Sequence, residues 1–251
     1  TSVWGLRFKD TQDFRTRSPT KTLPTLWRED MIEGEFGYDD SLPLLHYLDK
    51  VSGGKLTPSD PDKAYKAIRF TSNEFATFSQ AFYGFLGGKS TFGSTEEERL
   101  IKFKNVVMLL ENSVGNGLTS SPKDGDITIA DIALFPFIER CQGCKIMETY
   151  RKFYISSSEY PKLVQWYNLM REIPAVRSTL WETRSGASLR TQPYEGDGEQ
   201  SRIEYMTMFY RKYAMDNVAA ENGGLLNVKP PLFDEKTWER LGEEYNLKES
   251  S

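Results

Sequence analysis

The chain's only thiols stand three residues apart, in Cys141-Gln-Gly-Cys144. Such a pair performs redox chemistry when it opens a helix behind a strand, because a helix N-terminus stabilises the thiolate. Here the pair follows an apolar helical run instead, so it reads as two small buried hydrophobes near a helix end. Together with the single histidine, His46, two cysteines in this arrangement are too few for a zinc site, so no metal is expected. His46 lies among Leu44, Leu45, Tyr47 and Leu48, the setting of a partly buried helix residue. The run Thr95-Glu-Glu-Glu-Arg99 is a capping start with a solvated face rather than a catalytic carboxylate pair. Phe75, Phe78, Phe82, Tyr83 and Phe85 offer walls for an acceptor pocket, yet a stripe at helical spacing reads first as core.

The whole chain limits what such residues can serve. Its 251 residues, 38% hydrophobic and 27% charged, suffice for one large domain or two modest ones, and two are expected. A net charge of −4 argues against general binding to nucleic acid or anionic lipid, which relies on surplus Lys and Arg. No stretch approaches the roughly 20 apolar residues of a membrane span, so none is expected. Two neighbouring cysteines make no disulfide scaffold, and a reducing compartment fits. The opening at Thr1, without methionine or an apolar leader, fits a mature form from which a targeting peptide has been removed.

The elements follow from periodicity and punctuation. Residues 3–14 alternate as one short strand, and Thr22-Leu-Pro-Thr-Leu-Trp27 forms a second β-like run around Pro24. A turn or hairpin over 29–37 leads to a helix capped by Asp40 or Ser41 and ended by Gly53 and Gly54. Residues 56–61 form a linker. Helices are expected over 62–84, 95–114, 128–144 and 160–173, the first two packed against each other, and a loop over 116–126. Beyond Trp181 a polar, glycine-bearing connector precedes a helix over 201–215 and a short one over 234–245, with an extended arm between them.

Three patterns in this order resemble glutathione transferases, most nearly the lambda and omega classes. The first is Thr22-Leu-Pro-Thr-Leu26 followed by Asp40-Ser41; the resemblance implies a cis proline at Pro24 and a glutathione site built from Leu23, Pro24, Asp40 and Ser41. A helix N-terminus suits that role, since its unpaired amides and dipole attract a ligand carboxylate. The second, Thr128-Ile-Ala-Asp-Ile-Ala-Leu-Phe-Pro-Phe-Ile-Glu-Arg140, resembles the family's buried capping box, with Thr128 and Asp131 as its partners. The third, from Tyr160-Pro-Lys-Leu-Val-Gln-Trp166 to Thr179, resembles the penultimate helix and its exit. The likeness weakens at 115–126 and beyond Ser185.

The implied fold is mainly α: a truncated thioredoxin-like α/β domain over 1–54, an all-α domain over 55–184, and a C-terminal extension over 185–251. The family's nucleophile lies in the turn after the first strand. Only twenty-one residues precede Thr22, whereas the missing strand and helix would need roughly 25 more. No cysteine precedes Cys141, and the nearby hydroxyls, Ser2 and Tyr38, sit in the wrong motif. The expectation is a non-catalytic binding or scaffolding subunit with protein partners, within a large photosynthetic or respiratory complex, in the chloroplast before the mitochondrion or the cytoplasm. Glutathione, the one candidate cofactor, would bind weakly or not at all. The alternative is a glutathione-dependent transferase or thiol reductase whose catalytic turn lies outside this chain.

Overall fold

The computed structural model describes residues 18, 24–26, 37–87, 95–123, 126–144, 152–177 and 179–180. The expected strand at 3–14, the hairpin at 29–37 apart from its last residue, Leu23, Ser2, and everything beyond Leu180 lie outside the described residues. Within them the protein is mostly helical. Two short strands, β1 (Thr25–Leu26) and β2 (Tyr38–Asp39), pair antiparallel with Thr25 opposite Asp39 and Leu26 opposite Tyr38. Seven helices follow: α1 (Ser41–Val51), α2 (Pro61–Ser72), α3 (Glu74–Gly87), α4 (Glu96–Ser113), α5 (Ile129–Gly143), α6 (Pro161–Glu172) and the single turn α7 (Pro174–Arg177).

The starts and stops have local causes. Gly53 and Gly54 take φ of 101° and 69° just past α1, a region open to glycine at little cost, and the Gly54 amide returns to Asp49 O at 2.8 Å. The Asp60 side chain caps α2 through Lys63 N at 2.8 Å, with Pro61 in the first turn. Thr95 and Glu98 exchange bonds of 3.2 Å in a capping box that opens α4.

One expected helix is two. The run over 62–84 breaks at Asn73 (φ −116°, ψ −74°) into α2 and α3. Just before the break, the Thr71 and Ser72 hydroxyls donate to Ile68 O at 2.8 and 3.1 Å, competing with the helix's own ladder for that carbonyl. The Arg69 guanidinium pairs with Glu74 across the break.

The core sits among α2 to α6. Phe70, Phe78, Phe82, Leu110, Leu134, Ile138, Leu163, Trp166 and Met170 are completely buried. α3 packs on α4, as expected, and α5 touches α1, α2, α3 and α6. The aromatic stripe resolves accordingly: Phe75, Phe78 and Phe82 are core, and Phe137 meets all three edge-on at 5.2 to 6.2 Å. Tyr83 stays 44% exposed at the rim, and the Phe85 side chain is outside the described set. No described helix is long and apolar enough to cross a membrane.

Candidate functional site

The sheet register decides where the first motif lands. Thr25 faces Asp39, so Pro24, which precedes Thr25, and Asp40, which follows Asp39, leave the antiparallel pair at the same end, immediately before Ser41 and α1. Ser18, 2% exposed, fastens this end: its hydroxyl accepts from Thr25 Oγ1 at 3.1 Å and donates to Asp39 Oδ2 at 3.3 Å. Pro24, Asp40 and Ser41 therefore converge at one exposed edge.

Asp40 departs from the expected cap. It holds the N-cap position with φ 68° and ψ 129° and makes no side-chain capping bond. It is the one non-glycine residue with positive φ among those described, an arrangement that costs of order 1 kcal/mol or more and recurs at functional sites. The first-turn amides therefore lack the capping bond expected from this carboxylate. Leu44 N closes the first helical bond on Asp40 O at 3.1 Å and Pro43 has no N–H, so the helix itself leaves the Ser41 and Leu42 amides unused. Two amides without a bond inside the helix, a positive dipole end and two exposed polar side chains thus lie together at this edge. Tyr38 stands behind it, stacked on Tyr47 at 4.6 Å, and His46 is half-buried on α1.

Thr128 and Asp131 close the capping box that opens α5. Asp131, fully buried, accepts Thr128 N and Thr128 Oγ1 on Oδ2 at 2.8 Å each. Its reach goes further than a box. It also takes Thr119 N at 3.0 Å, Thr119 Oγ1 at 2.8 Å and the Trp166 indole N–H at 2.9 Å, joining a loop and α6 to the start of α5.

Two other carboxylates are buried among the described residues, and sequence reasoning missed both. Glu111 of α4 receives Lys162 N and Leu163 N at 3.1 and 2.7 Å; it caps α6, whose own N-cap residue Tyr160 offers no capping side chain. Asp49, near the end of α1, receives Leu56 N and Thr57 Oγ1, both at 2.7 Å. The segments each carboxylate would reach could not be read from local spacing, although an acidic residue on an otherwise apolar helix face is a usable signal.

The cysteine pair lies at the C-terminal end of α5. Both thiols are completely buried and neither forms a disulfide. Burial pushes the Cys141 thiol well above its ordinary range, Cys144 adds to the rise, and Arg140 opposes it. Burial and a position at the C-terminal end of the helix dipole both disfavour the thiolate form of Cys141.

The architecture matches solved glutathione transferases. A Pseudomonas putida glutathione transferase with glutathione disulfide bound superposes with a TM-score of 0.52 at 18% identity, covering 69% of this chain and 75% of that one. A glutathione transferase family member from Pseudomonas fluorescens with two glutathione bound gives 0.51 at 21% identity, over 69% and 77% of the two chains. A glutathione transferase homologue from Lodderomyces elongisporus, with two glutathione per subunit, gives 0.50 at 16% identity, over 67% and 79% of the two chains. No family model and no curated protein matches the sequence. The described part thus has the glutathione-transferase fold: a helical domain preceded by part of a thioredoxin-like sheet and its helix.

Proposed function

We propose that the protein works as a non-catalytic binding or scaffolding subunit whose α1 N-terminus keeps a weak, vestigial site for glutathione or a similar γ-glutamyl peptide. The observation that carries this reading is the convergence of Pro24, a left-handed Asp40 and Ser41 through the β1–β2 register. The neighbours of similar fold hold glutathione or its disulfide. Both described thiols are buried far along α5, remote in sequence from this edge, which supports binding without turnover. Exposed apolar side chains on α2 (Tyr65, Ile68) and α4 (Ile101, Met108, Leu109) supply surface for protein partners. An organellar complex, in the chloroplast before the mitochondrion, is the proposed setting, on the strength of the lambda-class resemblance.

A second reading, a glutathione-dependent transferase or thiol reductase, is favoured by the same presented amides at Ser41 and Leu42. One experiment separates the two. The chain is titrated with glutathione calorimetrically, assayed with an aromatic electrophile, and followed by native electrophoresis of its source extract. The subunit reading expects binding without turnover above background and migration with a large complex. Turnover that falls in Ser41→Ala would replace it with the enzyme reading.

A further inference from the structure

The Leu56 peptide is bonded from both sides. Its N–H donates to Asp49 Oδ1 of α1 at 2.7 Å, while its carbonyl accepts the amide of Ile129, the first residue of α5, at 3.0 Å. Asp49 is 4% exposed, and its second oxygen takes Thr57 Oγ1 at 2.7 Å. The Asp49 carbonyl also receives Gly54 N at 2.8 Å and Ser52 Oγ at 3.0 Å, so the turn after α1 is wound around this one residue. On the other side, Ile129 follows Thr128, whose amide and hydroxyl are held by the buried Asp131. A continuous hydrogen-bonded path thus runs from α1 through Leu56 to the start of α5 and on to Trp166 of α6.

We infer that Asp49 is a positioning residue, which fixes α1 to the capped start of α5 and thereby holds the Asp40–Ser41 end against β1. The ligand part of this inference rests on the glutathione reading above. The mechanical part does not. Among the described residues α1 packs on β2 and α5: Leu44 is buried, Leu42 and Leu45 lie against the core and Tyr47 stacks on Tyr38, while Leu48 and Val51 near its C-terminal end remain exposed. Apolar packing is non-directional, so at the C-terminal end of α1 the two bonds to the buried Asp49 carboxylate, one from a backbone amide and one from a hydroxyl, add the directional contacts that set its register. An asparagine at position 49 would preserve both contacts, its oxygen accepting Leu56 N and its amide donating to the Thr57 hydroxyl, whereas alanine keeps neither.

Amide hydrogen exchange on the intact chain tests this, with Asp49→Ala, Asp49→Asn and Thr57→Val compared to wild type. Asp49→Ala should exchange about tenfold faster or more across α1, leave α5 and α6 unchanged, and be restored largely by Asp49→Asn. Thr57→Val, which keeps the backbone bond, should show a smaller rise confined to α1 and the following turn. The variant serves as the readout should Asp49→Ala not fold. Unchanged exchange in α1, or equal acceleration of α1, α5 and α6, overturns the inference. Glutathione affinity is measured in parallel and should fall about tenfold in Asp49→Ala but no more than about threefold in Asp49→Asn. A wild type that does not bind glutathione removes the ligand reading alone, since exchange still decides the role of Asp49.

Discussion

Asp131 and Trp166 meet in the buried centre, the carboxylate accepting the indole N–H at 2.9 Å across thirty-five residues of sequence. The same carboxylate holds the backbone amides of Thr119 and Thr128. Asp131→Ala removes the acceptor of five donors, the amides and hydroxyls of Thr119 and Thr128 and the Trp166 indole. The three N–H groups, each costing about 1–3 kcal/mol when left unpaired, set an expected loss of roughly 4 kcal/mol in urea unfolding. Trp166→Phe removes one donor and keeps most of the packing, and should cost about 1–2 kcal/mol.

Glu111 caps a helix that is not its own. Glu111→Ala should cost about 1–3 kcal/mol by freeing Lys162 N and Leu163 N, and Glu111→Gln, which retains one acceptor, should fall between it and wild type. Equal stability of all three proteins in denaturant titration would contradict this assignment.

How far these arrangements can be read from sequence depends on distance along the chain. The Thr128–Asp131 box and the Thr95–Glu98 box span three residues, so their spacing is enough to foresee them. The same holds for α1's end, because Gly53 and Gly54 mark it by type alone. The reach of Asp131 to Trp166 and of Glu111 to α6, by contrast, spans tens of residues, and only the packing of separate helices brings them together. The break at Asn73 was hidden for a different reason: the apolar period runs through it, and the competition of Thr71 and Ser72 for one carbonyl leaves the period intact. At the candidate site the residues were legible but not their conformation, since Asp40 reads as an ordinary cap and instead adopts positive φ.

The buried thiol makes stability depend on alkaline pH. Cys141 has a raised folded-state pKa, so the unfolded chain loses this proton first, at about pH 8.5. Its contribution is full below that pH and declines as pH rises toward the folded value, by up to about 1.4 kcal/mol per unit from this group. Cys141→Ala should flatten that decline. In the native protein at pH 8 a disulfide reagent should label Cys141 only at the rate of unfolding, and promptly in denaturant.

Gly117 should be the least replaceable of the described loop glycines. At φ 130° a side chain is strained, and an added Cβ would lie 3.1 Å from Phe70 Cβ, whereas one at Gly54 would meet nothing within 4 Å. Gly117→Ala should cost about 2 kcal/mol or more, and Gly54→Ala about 1 kcal/mol, in thermal or chemical unfolding.

The N-terminal turn of α1 is where the functional account stands or falls. Backbone amide NMR during a glutathione titration reads it directly. Saturable shifts should centre on Ser41 and Leu42, weaken in Ser41→Ala, and leave Cys141 and Cys144 unmoved. Absence of any shift at millimolar glutathione, or shifts centred away from α1 and β1, contradicts the account.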